Sequence, residues 1–77
     1  MRFYWRKFMI VAVPMDTESD TDRQMAAQWN AVYLHSGLNR YFTMGAAEMD
    51  AEQHADSWGR YIKFGVVDRA TWHEGWV

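Results

Sequence analysis

The sequence has no cysteine and only one proline among its 77 residues. Disulfides and thiolate ligands are therefore excluded, and the lack of cysteine is typical of a reducing compartment, which predicts a cytoplasmic location. A chain of this length forms one domain, residues 1–77, and buries only about 60% of the surface that its unfolded state exposes. Its stability must come from a small hydrophobic core, or from a second subunit in a homodimer.

Long apolar runs and strong positive charge are also missing. The main apolar stretch, residues 8–13, is too short to cross a bilayer. Basic residues precede it, as in a signal peptide, but no small-x-small cleavage site follows, so a buried strand is the better interpretation. The formal net charge of −2 argues against a nonspecific nucleic-acid binder, which is normally strongly basic.

Motifs that would name a reaction are absent from the sequence. The glycines are spread apart rather than grouped in a phosphate-binding loop, and no serine stands in a Gly-x-Ser-x-Gly context. The sequence therefore predicts no enzyme activity, no catalytic residue and no cofactor.

Two groups of residues have the donor types of a metal site but lack the pattern. The alternating acids of residues 16–22 are similar to the start of a calcium loop, yet the glycine and glutamate required at its sixth and twelfth positions are Thr21 and Ala27. A site with two histidines and one carboxylate would need His54 and neighbouring acids to meet His73 and Glu74, and nothing in the sequence fixes those distances. No metal site is predicted.

Apolar periodicity and turn residues divide the chain into alternating strands and helices. The predicted elements are a strand over 2–13, a helix that ends near Ser36, a strand over 38–44, a helix over 46–58 and a strand over 60–67. The tail, residues 68–77, fits either a short helix or an edge strand. The order predicts an α+β fold, a small three- to four-stranded sheet in β-α-β-α-β order with two helices packed on one face.

Capping residues mark the expected ends of the helices. Ser19 or Thr21 is the predicted N-cap of the first helix, and Thr21 with Gln24 fits a capping box. Gly37 is predicted to end that helix in a left-handed conformation, and Gly59 to end the second.

Charge is distributed unevenly along the chain. Residues 46–59 contain four acids and no lysine or arginine, four more acids precede the first helix, and the predicted strands carry most of the basic residues. With both helices on one side, this pattern predicts an acidic helical face and a more basic sheet face, and such fields steer association with a basic partner. The alternative is that the acids simply solvate the exposed helix faces.

The leading hypothesis is a small protein-binding module that regulates or inhibits a larger assembly. Tryptophan, tyrosine, methionine and arginine are the types enriched at interfaces, and aromatics reach 17% of this chain. The class-level expectation is a phage-encoded inhibitor of host machinery, of the anti-CRISPR type, acting in the host cytoplasm. Its partner would be a protein or complex with a basic surface, rather than a nucleic acid or a membrane. The predicted partner-binding residues are Asp16, Glu18, Asp20, Asp22, Glu48, Asp50, Glu52, Asp56, Trp72 and Trp76.

The alternative hypothesis is a single-stranded nucleic-acid-binding module that uses an aromatic and basic sheet face. Several RNA-binding folds stack bases on such a face. The residues that would form it are Tyr4, Arg6, Tyr41, Tyr61 and Lys63. A structural homodimer that buries the same face, or the tryptophan-containing tail, is a third interpretation.

Overall fold

The computed structural model describes residues 7–72 of the chain. Its elements, in order, are strand β1 (Phe8–Pro14), helix α1 (Asp20–Tyr33), helix α2 (Met44–Trp58) and strand β2 (Ile62–Asp68). The two strands form a two-stranded antiparallel sheet. The fold is therefore a small α+β fold, and the order of elements in the described part is β-α-α-β.

Because side chains alternate along a strand, each face of the sheet carries every second residue of both strands. The register runs from Phe8 opposite Asp68 to Pro14 opposite Ile62. The even-numbered side chains of both strands contact the helices, whereas the odd-numbered side chains lie on the opposite face.

The larger core lies between the sheet and both helices, which pack on the same sheet face. Ile10 and Ile62 of the strands are its largest fully buried side chains. Trp29 supplies the bulk from α1, while alanines supply the contact from α2, since small side chains allow a helix to lie close to a sheet. The buried members of this core are Ile10, Ala12, Ala26, Trp29, Ala47, Ala51 and Ile62.

A smaller core covers the odd-numbered face of the sheet. Met9 and Val11 of β1 are buried there against Leu34, which follows α1. Val67 and Trp72 are partly buried and pack on the same cluster. This face is therefore covered in part, and it is not the open sheet face that the sequence suggests.

The helix ends follow capping chemistry, although not at every expected residue. The Ser19 hydroxyl accepts the N–H of Asp22 at the start of α1, which selects Ser19 over Thr21 as the N-cap. Gly59 is the C-cap of α2, as expected from the sequence. The left-handed cap at Gly37 is wrong, because no described glycine has positive φ, and α1 ends three residues earlier than expected.

The prediction of a strand over 38–44 is wrong, so the middle strand of the predicted β-α-β-α-β order is absent from the described residues. Only Tyr41 forms a bridge, exchanging two backbone hydrogen bonds with Phe8 at 3.2 and 2.9 Å. From Thr43 onward the chain turns into α2, because the Thr43 hydroxyl caps the N–H of Ala46. Gly45, which looks like a strand breaker, lies in the first turn of this helix.

Two asparagine side chains form the hydrogen bonds along the outer edge of β1 that a neighbouring strand would otherwise form. The Asn39 side chain accepts the N–H of Ile10 and donates to its carbonyl, both at 2.8 Å, and it also donates to the carbonyl of Leu34. Asn30 binds the N–H and carbonyl of Ala12 in the same two-sided way, at 3.0 and 2.8 Å. An amide side chain copies the donor and acceptor of a peptide group, so this edge has no unpaired backbone groups at Ile10 and Ala12.

Candidate functional site

The outer edge of β2 differs from that of β1. Arg69 donates its N–H to the carbonyl of Lys7, and Met15 donates its N–H to the carbonyl of Tyr61. The backbone N–H and carbonyl groups of odd-numbered residues in β2 therefore point toward β1. Since these groups alternate in direction along a strand, the N–H and carbonyl groups of Phe64 and Val66 point away from β1, toward the outer edge of the sheet. Within residues 7–72, no group pairs with these N–H and carbonyl groups. Within the described part of the chain, one edge of the sheet is thus closed by asparagines, and the other is open.

A groove of about 630 Å³ lies between this open edge and helix α2. Its floor is apolar, since Ala51 and Ala55 of α2 lie across from Phe64 and Val66 of β2. Met15 and Met44 lie at the groove and are each about half exposed. Its charged residues are Glu48, Glu52 and Lys63.

The acids of α2 lie on two different sides of the helix. Glu48, Glu52 and Asp56 recur every four residues, which places them in one exposed row, the first two at the groove. Within the described residues, no ion pair joins this row. Asp50 points elsewhere, because it accepts a hydrogen bond from the Tyr41 hydroxyl. Burial, together with this bond and the carboxylate charge, raises the pKa of Tyr41 to about 12.

The acids in the turn before α1 and in its first turn are largely engaged in local structure. The Asp16 carboxylate accepts the N–H of Glu18, and the Asp22 carboxylate accepts the N–H of Asp16. Asp20 forms an ion pair with Arg23. These bonds shape the entry turn of the helix, and carboxylates also favour its positive end. The eight predicted acids therefore separate into a free row on α2, a tyrosine partner, and a structured turn.

Basic residues gather on the odd-numbered side of the sheet. Arg40 and Arg69 line a cavity of about 340 Å³ together with His35 and Trp72. Burial, and then the neighbouring charge of Arg40, lower the pKa of Arg69. Lys63 is exposed and belongs to the odd-numbered positions of β2. Arg40 and Arg69 thus lie on a different side of the molecule from the row on α2, whereas Lys63 also lines the groove beside that row.

A third concave region lies beside α1. It is a cavity of about 400 Å³ lined by Tyr33, Tyr41, Asp50 and His54, among others. Val32 and Leu38 also line it and are 65% and 88% exposed. Apolar side chains this exposed give the surface a capacity for further contact.

The histidine considered as a metal ligand has a packing role. The His54 ring lies 5.2 Å from the Trp29 ring, edge to face, and 5.7 Å from the rings of Tyr33 and Phe64. Within the described residues, no group of three metal-ligand side chains comes together. His73 and Glu74 lie outside those residues.

The remaining predicted residues do not gather into one surface. Trp72 is half-buried in the smaller core, and Trp76 lies outside the described residues, as do Tyr4 and Arg6. Tyr41 and Tyr61 pack against the helix-side core, whereas Lys63 alternates with the residues of that core. The described members of the aromatic and basic set therefore do not share a sheet face.

Sequence reasoning missed the open edge and the asparagines that close the other one. A signal for Asn30 exists, because it follows Trp29 on the side of α1 that also carries Ala26, where an apolar residue would be expected. No comparable signal marks Phe64 and Val66, since their open edge depends on the absence of a neighbouring strand.

No helix in residues 7–72 combines the length and the apolar character needed to cross a membrane. Comparison with protein-family models, curated proteins and solved structures finds no match to this chain, so its function has to be argued from its own residues.

Proposed function

We propose that this chain is a small protein-binding module that recognises a basic partner through α2 and the adjacent groove. The observation that carries the proposal is the row of Glu48, Glu52 and Asp56, which forms no ion pair within the described residues and whose first two members line a groove with an apolar floor. Carboxylates beside apolar surface offer both steering and contact area, the two components of a protein interface.

The methionines around α2 supply adaptable contact area. Met49 is 66% exposed, and Met15 and Met44 line the groove. Methionine is unbranched and polarizable, so it fills irregular surfaces of a partner at low steric cost. The surface of α2 thus combines fixed negative charge with deformable apolar groups.

In this proposal the chain acts by binding rather than by catalysis, as a regulator or inhibitor of a larger assembly in the cytoplasm. The opposed placement of acidic α2 and the cations near Arg40 and Arg69 supports an oriented encounter with a basic surface, because a charged partner is attracted to one side only. Binding of single-stranded nucleic acid to the sheet has less support, since Tyr41 and Tyr61 pack toward the helices.

The test is capture of partners from an extract of the source organism by immobilised protein, read by mass spectrometry at low and at high salt. The variant Glu48→Lys/Glu52→Lys is expected to lose the salt-sensitive partners. A matched control, Glu18→Lys/Gln24→Lys/Gln28→Lys, changes the net charge equally at exposed positions away from the groove and is expected to retain them. Equal capture by both variants would contradict the role of α2.

A further inference from the structure

The two edges of the sheet are treated differently by the fold. At β1, the backbone groups of Phe8, Ile10 and Ala12 are all paired, by Tyr41, Asn39 and Asn30 in turn. At β2, the outward groups of Phe64 and Val66 have no partner within residues 7–72. Open edges are sites of strand addition, and proteins usually blunt them with charge, proline or a bulge. The outward-facing stretch of β2 from Phe64 to Val66 has none of these.

We propose that β2 receives an extended basic segment of a partner protein as an added third strand, a mode of binding that rests on the protein-binding function proposed above. The backbone of the segment would pair with the N–H and carbonyl groups of Phe64 and Val66. This is the general mode of β-strand addition, in which main-chain hydrogen bonds supply affinity and alternate side chains supply specificity.

The groove gives the alternate side chains of the added strand a place to go. Every second side chain would point to the helix side of the sheet, where Ala51 and Ala55 leave space beneath α2. An apolar side chain fits this floor, next to Phe64. A neighbouring lysine or arginine on the same side would reach Glu48 or Glu52. The inward-facing positions of a fitting segment therefore carry an apolar residue and a basic residue in turn.

Charge identifies the occupant as a basic segment rather than a second copy of this chain. A copy that paired β2 with β2 would bring a second set of Glu48 and Glu52 to the same groove, where like charges repel. A segment with lysine or arginine instead gains two opposite charges at the groove wall. Lys63 also lines the groove, so the basic side chain of the segment is expected beside Glu48 and Glu52 rather than beside Lys63.

The experiment titrates ¹⁵N-labelled protein with three synthetic peptides, followed by amide shifts and hydrogen exchange. The first carries lysine and valine in turn at every second position, with threonine between them, so that both types share one strand face. The second replaces each lysine with glutamate, and the third is the lysine peptide N-methylated at every second residue. The lysine peptide is expected to shift and protect the amides of Phe64 and Val66. The glutamate and N-methylated peptides should bind at least about tenfold more weakly, since each lacks one of the two interactions.

Two outcomes would overturn strand addition. One is equal binding of the N-methylated and unmodified lysine peptides, and the other is protection of amides elsewhere while Phe64 and Val66 stay unprotected. Light scattering on the free protein tests the alternative occupant: a dimer in which Phe64 and Val66 are already protected would replace the basic segment with a second copy.

A pair of variants separates this inference from the proposed function. Val66→Pro removes the outward N–H without removing a bond to β1, whereas Val66→Thr keeps that N–H. Strand addition predicts that the proline variant loses at least about tenfold in affinity for the lysine peptide relative to the threonine variant. If partner capture depends on Glu48 and Glu52 yet the proline variant binds the lysine peptide normally, the proposed binding through α2 is supported and strand addition is contradicted. If the proline variant does not fold, the N-methylated peptide decides.

Discussion

Replacing Asn39 with leucine should remove most of the stability of the domain. Asn39 is only 5% exposed and makes three hydrogen bonds, two with Ile10 and one with the carbonyl of Leu34. Leucine has the same number and branching of side-chain heavy atoms as asparagine, so the change removes the bonds without leaving a large cavity. It leaves the N–H and carbonyl of a buried strand residue without partners, and an unpaired buried group costs about 1–3 kcal/mol.

The expected loss for Asn39→Leu is about 3 kcal/mol, from three bonds at about 1 kcal/mol each. A core of this size supplies about 3–5 kcal/mol in total, so the variant should be close to unfolded at room temperature. Asn30→Leu should cost less, about 1–2 kcal/mol, because Asn30 makes two bonds and is only partly buried, so water can replace part of the loss.

The assay is urea denaturation followed by tryptophan fluorescence, to which buried Trp29 contributes. With a slope of about 1 kcal/mol per molar urea, the midpoint of Asn39→Leu should fall by about 3 M. The control is Gln28→Leu, which removes an amide of the same kind from an exposed position of α1 and should change stability by less than about 0.5 kcal/mol. A loss as small as the control for Asn39→Leu would refute the idea that this side chain closes the β1 edge.

Two further predictions concern the glycines of α2 and the tyrosine beside it. Gly45→Ala should stabilise the protein by about 0.5–1 kcal/mol, because Gly45 lies in the first turn of α2 with open space around it. Gly59→Ala should destabilise the protein, because a Cβ at this position would lie 2.5 Å from the carbonyl oxygen of Ala55. Thermal unfolding of the two variants should therefore show changes in stability of opposite sign. The raised pKa of Tyr41, about 12 against an ordinary 10.0, means that its protonated form stabilises the fold fully below pH 10 and that this stability is lost as the pH rises through 12; ultraviolet titration should show Asp50→Asn lowering this pKa toward 10, and an unchanged value would show that Asp50 has no part in it.

The parts of the fold that depend on local patterns were predictable from the sequence. The apolar run before Pro14 identifies β1, the polar turn with Ser19 identifies the start of α1, and the alanine spacing from Ala47 identifies α2. A strand was also expected over 60–67, close to the observed β2 at Ile62–Asp68. In each case the deciding interaction lies within a few residues of the chain.

What could not be predicted depends on contacts between distant residues. Residues 38–44 alternate like a strand, but Asn39 is used as a side-chain partner for Ile10, and Thr43 begins a helix. The concentration of acids in and before the helices suggested one acidic face. Instead, the Tyr41 hydroxyl donates a hydrogen bond to Asp50, and the carboxylates at the start of α1 accept hydrogen bonds from nearby backbone groups. Tertiary partners of this kind override local preference.

The most direct test of the account is native-state hydrogen exchange of the free protein, read residue by residue. The central claim is that one sheet edge is closed by asparagine side chains and the other is open to a partner. The amides of Ile10 and Ala12 should therefore exchange slowly, and the amides of Phe64 and Val66 should exchange much faster than those of Gly65 and Val67, which face β1. Slow exchange at Phe64 and Val66 in the free protein, equal to that at Gly65, would contradict the claim.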